Sequence, residues 1–344
     1  MPVFRRRGRL RVGVGPGLAE LAPGTGHGNT WSHVLAQLSR LDGVELVRRR
    51  ADVWLASGHT PPAEDQRPLV VQVHEIGWAD PDLRAFLDPD FAARLEADTN
   101  AAVAAASRVI TPSEVARRQV VEACEVRAET VHAVPHGVDH ATFKAGLPGG
   151  RQLVAGALGR GADLPYVLFV GVIHPRKGFP ALREAMAGLA ARGMPHLLAM
   201  VGGPPPDRRD GSDIVRQAEA ELPGAPDRVV RLSNVSEPEL AALMAGADAF
   251  CLPSLFEGFG LPALEALASG APSVVSNRGA LPDVVGEAAL VVEPDARLLE
   301  DALHRVLTDS ALAARLRVDA VERAAGFSWE HSARGWLEAL EAAA

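Results

Sequence analysis

Two glutamates, Glu257 and Glu265, stand eight positions apart in the segment from Pro253 to Gly270, and their surroundings say what chemistry they could do. Glu257 ends a strand-to-helix connection. Gly258 and Gly260 let the backbone come close to a ligand, and Pro262 suits the first turn of a helix. The segment therefore aims backbone N–H groups and the positive end of a helix dipole at one point, which makes an anion site best suited to a phosphate. Glu265 falls about one turn into the helix at roughly 3.6 residues per turn, where its carboxylate could accept from two vicinal ribose hydroxyls beside that phosphate. A glutamate at a helix start usually does no more than compensate the dipole; this context reverses the weighting.

Elements that could hold such a site emerge from the apolar patterning. Short apolar runs alternate with helical patterns along the chain, the sequence form of βα units building parallel sheets, so the fold class is α/β. Strands are predicted at Leu10–Val14, Val44–Val47, Val53–Ala56, Leu69–Val73, Arg108–Thr111 and Thr130–Val134, with helices near Thr30–Leu41 and Phe91–Ala106. Thr111 is predicted to cap a helix, with Pro112 at its first position and Glu114 at its third. Gly/Pro punctuation between Lys144 and Pro165 predicts a linker. The division is therefore a first domain over residues 1–155, a second over 156–326 and a closing helix over 327–344. The second half predicts strands at Tyr166–Gly171, Leu197–Val201, Val229–Leu232, Ala249–Leu252 and Ser273–Ser276. Helices are predicted at Pro180–Arg192, Ile214–Glu221, from a capping box at Ser236–Glu239 to Gly246, and from Pro262. Ligands bind beyond the carboxyl ends of parallel strands, so two tandem domains of this kind are expected to face each other across a cleft, with the motifs placed after strands.

Composition excludes several classes. A chain of 344 residues with 47% hydrophobic and 23% charged residues has room for two ordinary domains at roughly 100 to 200 residues each. Its net charge of −8 argues against broad binding to nucleic acid. Cys124 and Cys251 cannot build a multi-bridge framework, and a cytoplasmic location is expected. No apolar run approaches the roughly 20 residues needed to cross a bilayer. Arg5, Arg6, Arg7, Arg9 and Arg11 could make a weak contact with anionic lipid at a membrane face, although a solvated chain end is the favoured reading. Gly13–Gly17 and Gly24–Gly28 both break the Gly-x-Gly-x-x-Gly spacing that a dehydrogenase needs. Asp80-Pro81-Asp82 and Asp88-Pro89-Asp90 read as turn and helix-capping residues rather than metal ligands, and no metal site is expected.

The Glu257–Glu265 segment resembles the E-x7-E signature of retaining glycosyltransferases of family 4, whose GT-B fold sets two Rossmann-like domains face to face. The resemblance extends over nearly the whole chain. Phe169–Gly178 is similar to the family's donor-diphosphate strand and loop, with Arg176 and Lys177 as the cationic pair and Val172 where an arginine is frequent. Ser233–Ser236, including Val235, is similar to the loop under the base. Ser276–Gly286 is similar to the stretch after the E-x7-E helix and is closest to mannosyl-transferring members. In the first half, Gly24–Asn29, with Gly26 and Gly28, resembles a glycine-rich loop facing the cleft. Val73-His74-Glu75 resembles Val-His-Asp, and Val134–Asp139 resembles Pro-Asn-Gly-Val-Asp with His136 in the asparagine position. Phe327–Glu330 resembles the start of the family's last helix, which crosses back to the first domain.

The resemblance implies transfer of a hexosyl group from a nucleoside diphosphate sugar, GDP-mannose as first choice, to a hydroxyl acceptor with retained configuration and no required cofactor. It implies that Glu265 holds the ribose, that Arg176 and Lys177 hold the diphosphate, and that Gly258, Phe259, Gly260 and Leu261 present backbone to phosphate and sugar. Glu257 is implied to engage sugar hydroxyls and to steady positive charge, and His74 to bind the donor sugar. Two rivals share the fold: a phosphorylase or synthase using a sugar phosphate, and a catalytically silent sugar-nucleotide-binding subunit.

Overall fold

The computed structural model describes residues 9–15, 18, 26–59, 67–159, 164–172, 174–202 and 228–344. Arg5, Arg6, Arg7, Gly24, Thr25 and the helix expected at Ile214–Glu221 lie outside them. The chain divides into two compact units. The described residues up to Arg84, with Pro89–Gly137 and Ser328–Ala344, form the first, and Ala85–Asp88 with Val138–Phe327 form the second.

The first unit is built on a parallel sheet of β1 (Leu10–Val14), β2 (Val44–Val47), β3 (Val53–Ser57), β4 (Leu69–Gln72), β5 (Arg108–Thr111) and β6 (Val131–Ala133), in the order β2-β1-β3-β4-β5-β6. Every residue of β4 is buried, as a central parallel strand covered on both faces requires. Helix α1 runs Gly26–Leu38, followed by α2 (Pro81–Arg84), α3 (Pro89–Ala105) and α4 (Glu114–Ala123). Ser113, not Thr111, caps α4: its hydroxyl accepts from the Ala116 N–H at 3.1 Å. Thr111 is still the last residue of β5, and its hydroxyl donates to the Ser113 carbonyl at 3.2 Å instead of accepting from the helix's first N–H groups. The chain's last helix, Trp329–Ala343, closes this unit. Ser328 caps it by accepting from the His331 N–H at 3.1 Å, and Trp336 meets Trp31 of α1 edge to face at 5.0 Å.

The second unit begins earlier than the Gly/Pro pattern suggests. Residues 138–155, expected with the first domain, pack with the second, and the expected linker contains a helix, α5 (Gly150–Ala157). It seats against α7 (Glu237–Gly246), close enough that a Cβ on Gly150 would strike the Ala242 carbonyl. Glycine thus marks a helix contact here, not only a break. The sheet comprises β7 (Tyr166–Val170), β8 (Leu197–Val201), β9 (Val229–Leu232), β10 (Ala249–Leu252), β11 (Ser273–Ser276) and β12 (Ala289–Val292), in the order β12-β11-β10-β7-β8-β9 with parallel pairing. The remaining helices are α6 (Phe179–Ala191), α8 (Leu261–Ala268), α9 (Leu281–Val285), α10 (Ala296–Thr308) and α11 (Ser310–Ala324), with the closing helix as α12.

Counted within the unit, that order is 3-2-1-4-5-6, the doubly wound arrangement whose switch point lies between its first and fourth strands. Those strands are β7 and β10, in register at Ala249 with Val167 and Phe250 with Leu168. One large apolar core lies beneath them, with Leu168, Phe169, Phe250, Leu264 and Leu267 fully buried. The topology sets the connection leaving β7 beside the connection leaving β10.

Candidate functional site

Beyond the end of β7 the chain makes a single helical turn, Pro175–Lys177, with His174 before it and Gly178 after it. Beyond β10 it runs from Pro253 to Gly260 before entering α8. These two connections touch. Lys177 Nζ donates to both oxygens of Glu257, at 2.7 and 2.9 Å, and the Leu255 N–H donates to the Arg176 carbonyl at 2.7 Å. Arg176 also donates through a guanidinium N–H to the Phe256 carbonyl at 3.3 Å. Close seating depends on Gly178, which has φ +69° and lies where a Cβ would strike the Pro253 carbonyl. Gly279, with φ +60°, leaves no room for a Cβ against the Glu257 backbone, and the Ala280 N–H donates to the Glu257 carbonyl at 2.9 Å.

Glu257 is 6% exposed. A buried carboxylate is costly unless it is paired and hydrogen-bonded, and here both conditions hold. Besides Lys177, the Ser254 hydroxyl donates to Oε1 at 2.5 Å, and the Ser276 hydroxyl donates to the Ser254 carbonyl. Gly258 and Phe259 are buried, Gly260 precedes α8 and Leu261 opens it. Among the described residues no side chain caps that helix and no acidic residue lies in its first turn, so its positive end favours an anion. Glu265 stands one turn in and is half-buried; desolvation, with Glu237 adding to it, pushes its carboxyl up to about 8. Glu237 opens α7, so the packing of α7 on α8 brings the half-buried Val235 and its loop to the same end of the sheet. His174 accepts from the Arg176 N–H at 3.1 Å. Burial together with the charges of Arg176 and Lys177 brings its imidazole down to about 4.

In the first unit His74 lies just beyond β4, buried, with the His136 ring 5.5 Å away. His136 in turn lies 5.7 Å from Trp329, on which His33 stacks at 4.9 Å. Gly137 has no room for a Cβ against the Ser328–Trp329 backbone. The expected glycine-rich loop is corrected in part: from Gly26 onward the chain is already in the first turns of α1, and Gly28 is buried there. The helical pattern was expected to begin only at Thr30 because two glycines are poor helix formers; tertiary packing overrides them. Asp80 accepts from the Asp82 and Leu83 N–H groups at 2.9 and 3.3 Å, a turn and cap. Among the described residues no group of three or more His, Cys, Asp or Glu is placed to hold a metal ion.

Residues 154–324, nearly all of the second unit, match the family model described as Glycosyl transferases group 1. This unit is a glycosyl transferases group 1 domain. The chain is 34% identical over 301 residues to a D-inositol 3-phosphate glycosyltransferase of Nocardioides sp., covering 83% of this chain and 65% of that protein. It is 32% identical over 251 residues to an MMP alpha-(1->4)-mannosyltransferase of Mycolicibacterium hassiacum, covering 68% of this chain and 54% of that protein. The chain thus spans less than two thirds of each of these relatives. Among solved structures it resembles Anabaena Alr3699/HepE in complex with UDP-glucose, with TM-score 0.66, 23% identity, and 80% and 72% of the two chains covered, a likeness of fold. The architecture is GT-B.

Within the group 1 domain, sequence reasoning named Glu257, Glu265, Arg176 and Lys177 as candidates and gave no role to three neighbours that the structure sets beside them: Ser254, Ser276 and His174. Ser254 sits three residues before Glu257, and that short Ser-x-x-Glu spacing was the one available signal. Val172, standing where the resembled family often has arginine, is 38% exposed, which leaves Arg176 and Lys177 as the cations of this turn.

Proposed function

We propose that the chain is a retaining glycosyltransferase that moves a hexosyl group from a nucleoside diphosphate sugar to a hydroxyl acceptor. The observation that carries this reading is the meeting, at the switch point of the second sheet, of a buried Lys177–Glu257 pair with the uncapped amino end of α8. An ammonium has three N–H donors, and Glu257 engages two directions, so the third serves a phosphate oxygen. The diphosphate lies between Lys177, Arg176 and the start of α8. Glu265 accepts from the ribose hydroxyls, and Val235 lies by the base.

In the reaction the bond between the anomeric carbon and the phosphate oxygen breaks, and the acceptor oxygen bonds to the same face of that carbon. The acceptor proton passes to the departing phosphate oxygen, so the donor leaves as a free nucleoside diphosphate. Lys177 and Arg176 stabilise the negative charge gathering on the leaving group, while Glu257 faces the positive charge at the anomeric carbon. Most of the acceleration then comes from positioning and preplaced charge.

GDP-mannose is the donor we favour, on the likeness of Ser276–Gly286 to mannosyl-transferring proteins and on the relative named as a mannosyltransferase. The UDP-glucose held by the Anabaena structure favours a uridine donor instead. A thermal-shift panel of UDP, GDP, ADP and TDP sugars decides between them, since a ligand at 100 times its Kd adds about 2.7 kcal/mol. The productive donor releases free nucleoside diphosphate when acceptor is present; binding without turnover across a broad acceptor panel would instead indicate a silent subunit. Glu265→Ala is expected to weaken donor binding and Lys177→Ala mainly to slow transfer. Undiminished turnover in both variants defeats the assignment.

A further inference from the structure

We infer that Ser254 is a positioning residue that holds the Glu257 carboxylate in its working orientation while Lys177 is shared with the donor's diphosphate. This rests on the transferase reading above and adds to it a residue that touches neither phosphate nor sugar.

Three features of the geometry lead there. First, the two partners of Glu257 differ in what else they can do. Lys177 is a cation at the mouth of the phosphate site, with its side chain 15% exposed, and any anion that engages its third N–H draws charge away from Glu257. Ser254 is fully buried and its hydroxyl has one hydrogen to give, which goes to Oε1 of Glu257 at 2.5 Å. That donor belongs to the carboxylate alone.

Second, Ser254 is placed from β11 as well as through its neighbours Pro253 and Leu255, which meet Gly178 and Arg176 of the cation turn. The Ser276 hydroxyl, at the end of β11 and fully buried, donates to the Ser254 carbonyl, and Ala280 fixes the Glu257 carbonyl at 2.9 Å. The carboxylate is therefore tied to β11 and the connection after it through neutral groups, the Ser254 hydroxyl meeting the same oxygen, Oε1, that Lys177 reaches at 2.7 Å. Third, a hydrogen bond to a buried charge is among the stronger ones, because no water replaces it when it is lost. A Glu257 anchored only by a shared ammonium would swing toward that ammonium and away from the sugar.

The test uses the full chain with UDP-glucose and GDP-mannose as donors and reads release of UDP or GDP. Ser254→Ala is expected to lower kcat by about 10- to 100-fold, with donor KM and the Kd of free UDP or GDP changing less than about threefold. Ser254→Thr, which keeps the hydroxyl, restores most of the rate. A merely structural role would move Tm, KM and the diphosphate Kd together and would not separate Thr from Ala. Folded Ser254→Ala with undiminished kcat overturns the inference, as does a rise in KM at constant kcat. If Ser254→Ala does not fold, Ser254→Cys, a near-isostere with a weak donor, carries the same expectations. Wild-type protein that binds none of UDP, GDP, ADP and TDP sinks the transferase reading itself, a result separable from a Ser254 variant that binds and turns over normally.

Discussion

Glu265 shows how a single group can carry a cost in the fold and a use in the site. Its carboxyl is raised from an ordinary 4.5 to about 8 by desolvation, with the charge of Glu237 adding to it. Between those values the folded chain keeps a proton that the unfolded chain has released. Stability therefore falls as pH rises from about 4.5, and the loss is complete above about 8. Glutamine at this position has no proton to lose. Glu265→Gln is expected to match the wild type near pH 4.5 and to melt about 3–6 °C higher at pH 9, the partial exposure of the side chain keeping the gain modest. Melting curves from pH 4.5 to 9 check this; two parallel curves would show that another group carries the pH dependence. The penalty has a functional logic, since perturbed groups gather where ligands bind, and a ribose hydroxyl donating to this carboxyl favours its ionised form. The position of Glu265 was legible from its spacing to Glu257. Its coupling to Glu237 was not, because that depends on how two separate helices pack.

Among the elements, α7 is fixed by a tie that no local pattern reveals. The last carbonyls of a helix lack partners within it, and the Leu243 carbonyl of α7 is met by the hydroxyl of Tyr166 at 2.6 Å. Tyr166, the single tyrosine of the chain, opens β7, and its own N–H donates to Asp248 at 2.8 Å, while Arg151 of α5 donates to the other oxygen of Asp248 at 2.6 Å. A Cβ on Gly150 or on Gly246 would lie within 2.9 Å of that hydroxyl, so one buried oxygen knots β7, α5 and α7 together. Tyr166→Phe keeps the ring and strands the Leu243 carbonyl, at an expected cost of about 1–2 kcal/mol, or about 2–6 °C in Tm. Affinity for UDP or GDP should stay unchanged, since the hydroxyl lies away from the Lys177–Glu257 site. An unaltered Tm would show that the helix end finds another partner. The strands β7, β8 and β10 were legible because buried parallel strands are near-continuous apolar runs. The capping box of α7 was legible too, for Ser236 and Glu239 carry it locally at 2.6 and 2.8 Å. Helix α5 was hidden by the glycines around it, whose packing value appears only once α7 is beside them.

Across the whole molecule, the two units enclose separate cores, and this has a measurable consequence. Trp31 and Trp336 are fully or nearly buried in the first unit, while Phe169, Phe250 and Leu264 lie in the core of the second. The sequence showed two α/β halves, but it placed the boundary between them within the Gly/Pro-rich stretch, whereas, apart from the short excursion at Ala85–Asp88, the chain passes to the second unit between Gly137 and Val138. Composition marks where a chain is irregular, and packing decides to which core the irregular part belongs. Two cores of this size should unfold in two calorimetric transitions rather than one. Trp336→Ala removes a fully buried indole from the first unit, at about 3–5 kcal/mol, and should lower one transition by roughly 6–20 °C. GDP or UDP at about 100 times its Kd adds about 2.7 kcal/mol to the unit that binds it and should raise the other transition by about 5–10 °C. Lys177 and Glu265 both belong to the second unit, so the nucleotide must act on the transition that Trp336→Ala leaves in place. A nucleotide that raised the Trp336-sensitive transition would move the phosphate site out of the group 1 domain, and a single transition displaced by both changes would show that neither core melts without the other.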